Sequence, residues 1–373
     1  MLHIIVLAAF VSWGATTLLL YWHHSGQGIS QSILPQWRER EVQRYHAGST
    51  PRLGGFPIVL GFAAGLAWSA WKDWAHPGWF GLVLLCIMPA WVAGMWEDVV
   101  RRASVGSRLR LTLLAAGLAV LLIDARLVRF DLPYIDAWLL QWPLLSVALT
   151  IVALGGLPHA MNIIDGFNGL AGMVALMILS ALGYVAFKLG DSALLAICLS
   201  LGASTVGFFV WNYPRGLIFA GDGGAYLWGA VIGLVAVLLV ARHPDVSPWF
   251  PMLLCIYPVW ETLFSAYRKG VLRRRSPMQP DGLHLHMLVY KRLVRWMVCS
   301  RDARQVLSRN SLTAPYLWAI ALASVVPATL FWNNTPVLVS GCVVFVALYL
   351  WLYRKLIRFR APKVLLIHRG QTD

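Results

Sequence analysis

An all-α protein that crosses a membrane many times is the expectation from three features of this 373-residue sequence. Hydrophobic residues make up 59% of it and charged residues 13%, whereas soluble chains carry about 25% charged. The mean hydropathy is +0.66. Apolar runs of about 18 or more residues, long enough for a helix to span a bilayer, recur from end to end. Together these exclude a soluble globular protein. The net charge of +15 would suit nucleic acid, but the same excess arises when Lys and Arg gather on one side of a membrane.

The apolar runs, broken by polar or Gly/Pro punctuation, give eleven candidate spans at roughly 1–21, 54–72, 79–97, 109–125, 142–160, 169–187, 193–211, 223–241, 249–267, 313–332 and 335–353. The first has no basic stretch before it and no clear small-residue cleavage site after it, so it reads as a retained helix. The second starts at Gly54–Gly55, the third ends on Glu97–Asp98, and a basic stretch from Arg101 to Arg110 leads into the fourth. The fifth ends just before Asn162, the sixth opens after Asn168–Gly169, and the eighth opens from a Gly-rich turn at Gly221–Gly224. Asn333 and Asn334 separate the last two.

An odd number of spans places the termini on opposite sides. With the C-terminus cytoplasmic and the N-terminus outside, the inner segments are about 22–53, 98–110, 161–168, 212–222 and 268–312, plus the tail 354–373. All but five of the 31 Lys and Arg fall on them, the exceptions being Lys72, Arg126, Arg129, Lys188 and Arg242. Topology and anionic inner-leaflet lipid therefore account for the basic excess, and no nucleic-acid partner is expected. Residues 1–373 read as one integral membrane domain. Cys86, Cys198, Cys255, Cys299 and Cys342 show no metal or disulfide spacing and read as small hydrophobes.

Ionisable groups near membrane helices mark function, and here they converge on the inner side. Asn162, Asp165 and Asn168 in NIIDGFNGL lie three residues apart, one face of a helical turn suited to a polar ligand; a capped helix start is the simpler alternative. Phe219-Ala-Gly-Asp222-Gly-Gly is a Gly-rich turn opening an apolar helix, which aims backbone N–H groups at an anion. Asp222 there could hold a divalent metal together with Asp98 or Asp165, although Gly-Asp-Gly also makes ordinary turns. Glu97 and Asp98, adjacent acids at a span end, need a cation or a proton to offset their repulsion, or else salt-bridge to Arg101 and Arg102. His284 and His286 alternate in a basic loop behind Asp281 and suit phosphate binding or acid–base steps, short of a zinc site. His46 and Arg52 flank another Gly/Pro-punctuated turn, TPRLGG, on the same side.

Taken in order, TPRLGG, the acidic pair, NIIDGFNGLAG, FAGDGGAYLWG and DGLHLH resemble the polyprenyl-phosphate N-acetylhexosamine-1-phosphate transferase superfamily, of the glycosyltransferase 4 type. The His-X-His loop looks like the WecA-like branch rather than the phospho-MurNAc-pentapeptide transferases, with their run of consecutive histidines. The resemblance implies transfer of an N-acetylhexosamine 1-phosphate from a UDP-N-acetylsugar to undecaprenyl phosphate in the inner leaflet of a bacterial cytoplasmic membrane, with release of UMP. It implies Mg²⁺, with Mn²⁺ as a substitute, held by Asp222 and Asp98; Asp98, Glu97 and Asp165 as catalytic residues; and His46, Arg52, Asn162, Asn168, His284 and His286 as substrate-binding residues. A homodimer is compatible with it. Two departures stand out: the family's Asp-Asp pair is Glu97–Asp98 here, and the second acid of its Asp-Gly-X-Asp is Asn168, which carries no charge. A transporter, with acids paired near the membrane midplane, is the rival class.

Overall fold

Inside a bilayer no water is available to backbone amides, so each apolar run closes its hydrogen bonds within a helix. A computed structural model describes residues 1–25, 50–101, 103–272, 282–294 and 303–358. In chain order the helices are α1 (Leu2–His24), α2 (Gly55–Trp71), α3 (Pro77–Val100), α4 (Val105–Ile123), α5 (Pro133–Gln141), α6 (Pro143–Ile164), α7 (Leu170–Lys188), α8 (Ser192–Asn212), α9 (Gly221–Arg242), α10 (Trp249–Leu254), α11 (Ile256–Tyr267), α12 (Leu285–Val289), α13 (Ala303–Leu330) and α14 (Thr335–Ile357). Single π-helical turns follow α11 and α12. No strand occurs among the described residues.

Nine of these helices are long and apolar enough to cross a membrane, counted among the described residues. All eleven expected spans are helical, but two fall short of that mark. The span expected at 54–72 is the 17-residue α2, and the one at 249–267 breaks at Cys255 into α10 and α11. Helix α5 was not expected at all; the Pro133 that starts it lies in a stretch too short and polar to register as a span.

Helix α9 is the axis of the bundle, with all but its last two residues buried. It packs on α2, α3, α4, α6, α7 and α8. Lipid tails are as apolar as a protein interior, so such packing relies on close approach, and small residues permit it. Gly94 of α3 lies so near the Asp222 backbone that a Cβ there would collide with it.

Candidate active site

The site begins with a backbone clasp between segments far apart in sequence. Phe219 N–H donates to the Pro51 carbonyl at 2.9 Å, and Gly54 and Gly55 N–H donate to the Phe219 and Ala220 carbonyls, each at 2.9 Å. The sequence TPRLGG thereby lies against the start of α9, and Arg52 comes beside Asp222. Gly221 follows with φ of +70°, a left-handed conformation in which a side chain would strike the Asp98 carboxylate and the Arg52 carbonyl. Only glycine suits that position.

Asp98, 1% exposed near the end of α3, caps α9 from outside it. Its Oδ1 accepts the Asp222 N–H at 3.0 Å and its Oδ2 the Gly223 N–H at 2.8 Å. These amides are among the orphan donors of a helix start, and the positive end of the helix dipole favours an anion there. Asp222, 4% exposed, accepts from two guanidinium groups: Arg108 Nη1 at 2.7 Å and Arg52 Nη2 at 3.3 Å. Arg52 Nε also lies 3.7 Å from Asp98 Oδ1. One cation thus sits against both carboxylates. Burial opposes charge on Arg52, but Asp98, Asp222, Asp165 and Glu97 outweigh it and raise its pKa.

Arg108 is a residue that sequence reasoning passed over. Ser104 caps α4, accepting from the Ser107 N–H at 3.0 Å, so Arg108 stands in the first turn and reaches Asp222. The available signal was weak, one of four arginines between Arg101 and Arg110, just before a span and behind an acidic pair.

Asp165 caps the C-terminus of α6. Burial pushes its carboxyl up to about 7, against the pull of Arg52 and with the help of Asp222. It therefore belongs electrostatically to the same cluster. Asn162 lies half-buried in the last turn of α6, where its carbonyl accepts the Asp165 N–H at 3.2 Å. Asn168 is buried and held by other segments. Its N–H donates to Asn310 Oδ1 at 2.8 Å and its Nδ2 to the Pro214 carbonyl at 3.2 Å, while its Oδ1 is buried without a hydrogen-bond partner among the described residues.

The two histidines pack as a pair, with centroids 5.3 Å apart and planes 2° from parallel. His286 lies against the Asp165 loop: a Cβ on Gly166 would sit 3.0 Å from His286 Nε2, and Phe167 meets its ring edge-on at 5.7 Å. Burial, then the neighbouring His284, lowers the His286 pKa to about 3. Its Nδ1 is buried and unpartnered among the described residues. His284 is held by Glu261, a buried acid of α11 that the sequence reading did not single out.

The structure therefore gathers Arg52, Asp98, Asp165 and Asp222, and sets His286 beside them through Gly166. Glu97 hydrogen-bonds outside this group, its Oε2 accepting the Ala103 N–H at 3.1 Å just beyond α3, while its charge still acts on Arg52. His46 lies outside the described residues, as do Arg102 and Asp281. Every gathered residue stands at a helix end or the loop beside it, and their contacts put those ends at one end of the bundle. No group of three or more His, Cys, Asp or Glu at metal-holding distance occurs among the described residues. Two hard carboxylates around one cationic position fit Mg²⁺, which takes one or two protein carboxylates and fills its shell with water and phosphate.

Residues 80–240 match the model of glycosyl transferase family 4. The match covers less than half of the chain. Among curated relatives, the chain is 26% identical over 248 residues to a probable undecaprenyl-phosphate N-acetylglucosaminyl 1-phosphate transferase of Bacillus subtilis (strain 168), covering 65% of this chain and 66% of that protein. It is 25% identical over 285 residues to the undecaprenyl-phosphate alpha-N-acetylglucosaminyl 1-phosphate transferase of Escherichia coli (strain K12), 74% of each chain. To a phospho-N-acetylmuramoyl-pentapeptide-transferase of Lactobacillus helveticus (strain DPC 4571) it is 27% identical over 294 residues, 74% of this chain and 86% of that protein. The family 4 segment contains Glu97, Asp98, Arg108, Asn162, Asp165, Asn168 and Asp222. Arg52, Glu261, His284, His286 and Asn310 join its site from outside it.

Proposed function

We propose that this protein transfers an N-acetylhexosamine 1-phosphate from a UDP-sugar to undecaprenyl phosphate, releasing UMP, at the cytoplasmic face of a bacterial inner membrane. This would be the first membrane step of a cell-envelope glycan such as an O-antigen. The observation that carries the reading is the Arg52–Asp98–Asp222–Arg108 cluster at one end of a helical bundle, with Asp165 coupled to it. The names of the relatives support the same reaction type.

In the reaction, an acceptor phosphate oxygen attacks the β-phosphorus of the UDP-sugar. The bond from that phosphorus to the bridging oxygen breaks, and UMP leaves. Both substrates are anions, so positioning and charge neutralisation do most of the work. Arg52 and Arg108 bind phosphate oxygens in the planar, two-pronged manner of guanidinium groups. Asp222 and Asp98 would hold Mg²⁺ or Mn²⁺, which when bound supplies a Lewis acid. A phosphate monoester is mostly ionised near pH 7, so no strong base is required. The two backbone bonds to Asp98 support an orienting role, fixing the Gly-rich turn. Asp165, pushed up to about 7, suits a proton held near working pH. The unpartnered Asn168 Oδ1 and His286 Nδ1 favour a polar ligand beside them.

A pentapeptide-type transferase is the second reading, favoured by the Lactobacillus relative, 86% of whose length is covered. A transporter fits less well, because the carboxylates lie at one end of the bundle rather than midway along it. The test is incubation of purified protein with undecaprenyl phosphate, Mg²⁺ and a panel of UDP-sugars that includes UDP-MurNAc-pentapeptide, with UMP release as the readout. Turnover of a UDP-N-acetylhexosamine supports the proposal. Turnover of the pentapeptide donor alone supports the second reading, and no turnover of any donor overturns both.

A further inference from the structure

A carboxylate at full burial is costly unless donors surround it. Glu261, 0% exposed on α11, is surrounded. Its Oε1 accepts His284 Nδ1 at 3.0 Å and the Leu285 N–H at 3.1 Å, and its Oε2 accepts the Tyr349 hydroxyl of α14 at 2.8 Å. Two turns further along, Arg268 continues the same brace. Its Nη1 donates to the Leu283 carbonyl at 2.9 Å and to the Tyr353 hydroxyl at 2.5 Å. Glu261 and Arg268, seven residues apart, share a helix face, as do Tyr349 and Tyr353, four apart. Glu261 and Arg268 thus hold residues 283–285, and the α14 hydroxyls of Tyr349 and Tyr353 brace the two holders.

An ionised carboxylate only accepts, so the hydrogen on His284 lies on Nδ1. Nε2 is left as the nitrogen available to a substrate oxygen, accepting when the ring is neutral and donating when it is charged. The ring cannot turn without losing the bond to Glu261 and the stack on His286.

We infer that Glu261, braced by Tyr349, is a positioning residue of the transfer reaction: its carboxylate fixes the tautomer and orientation of His284 and so aims His284 at the phosphate groups of the substrates. The inference rests on the function proposed above. It assigns work to α11 and α14, which lie beyond the family 4 segment.

The test is a double-mutant cycle on UMP release by the full-length protein in detergent, with wild-type turnover measured first. Glu261→Gln keeps the shape and removes the charge. It is expected to lower kcat about 10- to 100-fold, as loss of the partner orienting a functional histidine does elsewhere, with KM for the UDP-sugar changed less than threefold. In a His284→Gln background, Glu261→Gln is expected to cost less than about threefold, because the two act as one unit. Tyr349→Phe, which removes one donor and leaves the core filled, is expected to lower kcat several-fold and carries the test if Glu261 variants do not fold. Penalties that multiply in the double mutant, or a Tyr349→Phe protein and a folded Glu261→Gln protein both within twofold of wild type, overturn the inference while leaving the proposed function standing. Absence of wild-type turnover with every donor overturns both.

Discussion

Asp98 on α3 and Asp222 on α9 are joined through the backbone: the Asp98 carboxylate accepts the Asp222 N–H at 3.0 Å and the following Gly223 N–H at 2.8 Å. One acid thereby holds the helix start that presents the other. Asp98→Asn keeps the volume but turns an amide NH₂ toward one of those buried donors. The expected cost is about 1–3 kcal/mol of stability, the penalty for a buried unmet donor. Thermal unfolding in detergent checks this, and a midpoint equal to wild type would refute it.

Gly221→Ala is expected to be worse than Asp98→Asn. The left-handed conformation costs a side chain roughly 1–2 kcal/mol, and the new Cβ would collide with the Asp98 carboxylate and the Arg52 carbonyl. Loss of folded protein on size-exclusion chromatography is the expected outcome. Gly190→Ala serves as the control: φ is also positive there, at +72°, but nothing lies within 4 Å of the added Cβ.

Arg108 donates to Asp222 Oδ2 at 2.7 Å, so it would compete with the proposed metal ion for that carboxylate. Arg108→Gln is therefore expected to tighten Mg²⁺ binding by the substrate-free protein about 5- to 30-fold, the equivalent of releasing one partly buried ion pair worth roughly 1–2 kcal/mol. The same variant is expected to raise KM for the UDP-sugar. Isothermal titration with MgCl₂ alone reads the first effect, and unchanged or weaker binding would count against it.

The half-buried Asp165 and the buried His286 give opposite pH signatures, measurable in chelator by comparing each variant with wild type. The Asp165 carboxyl is raised to about 7, so its contribution is full below the unfolded value and is lost as pH rises toward 7. Asp165→Asn should gain on wild type by about 2 kcal/mol between pH 5 and pH 8, allowing for partial exposure. The His286 pKa is lowered to about 3, so its contribution is present above the unfolded value near 6.5 and lost as pH falls. His286→Gln should gain on wild type by about 2 kcal/mol between pH 7.5 and pH 5. Parallel curves for wild type and variant would contradict either assignment.

Much of this was legible in the sequence because apolar length and Gly/Pro punctuation are local signals. Helices α3, α6, α8 and α9 fall within a few residues of their expected spans. The break at Cys255 was not legible, since nothing in LLCIYPVW interrupts the apolar run except Pro258, three residues after the break. Asp98, Asp165, Asp222 and Arg52 were readable as a group from motif and side of the membrane. Arg108 and Glu261 were not, because their meaning lies in partners 114 and 23 residues away. Glu97 shows that neighbours in sequence need not share partners: it hydrogen-bonds the Ala103 amide and reaches Arg52 through its charge alone.

The clasp between Pro51–Gly55 and Phe219–Ala220 also sets an order of assembly. During synthesis Arg52 emerges some 170 residues before Asp222, so until α9 inserts its guanidinium has no counter-ion from that helix and its peptide groups have no mates. Arrival of α9 therefore completes the contacts of Arg52 and Asp98 with Asp222, while His284, His286 and Asn310 join only when the following helices have emerged.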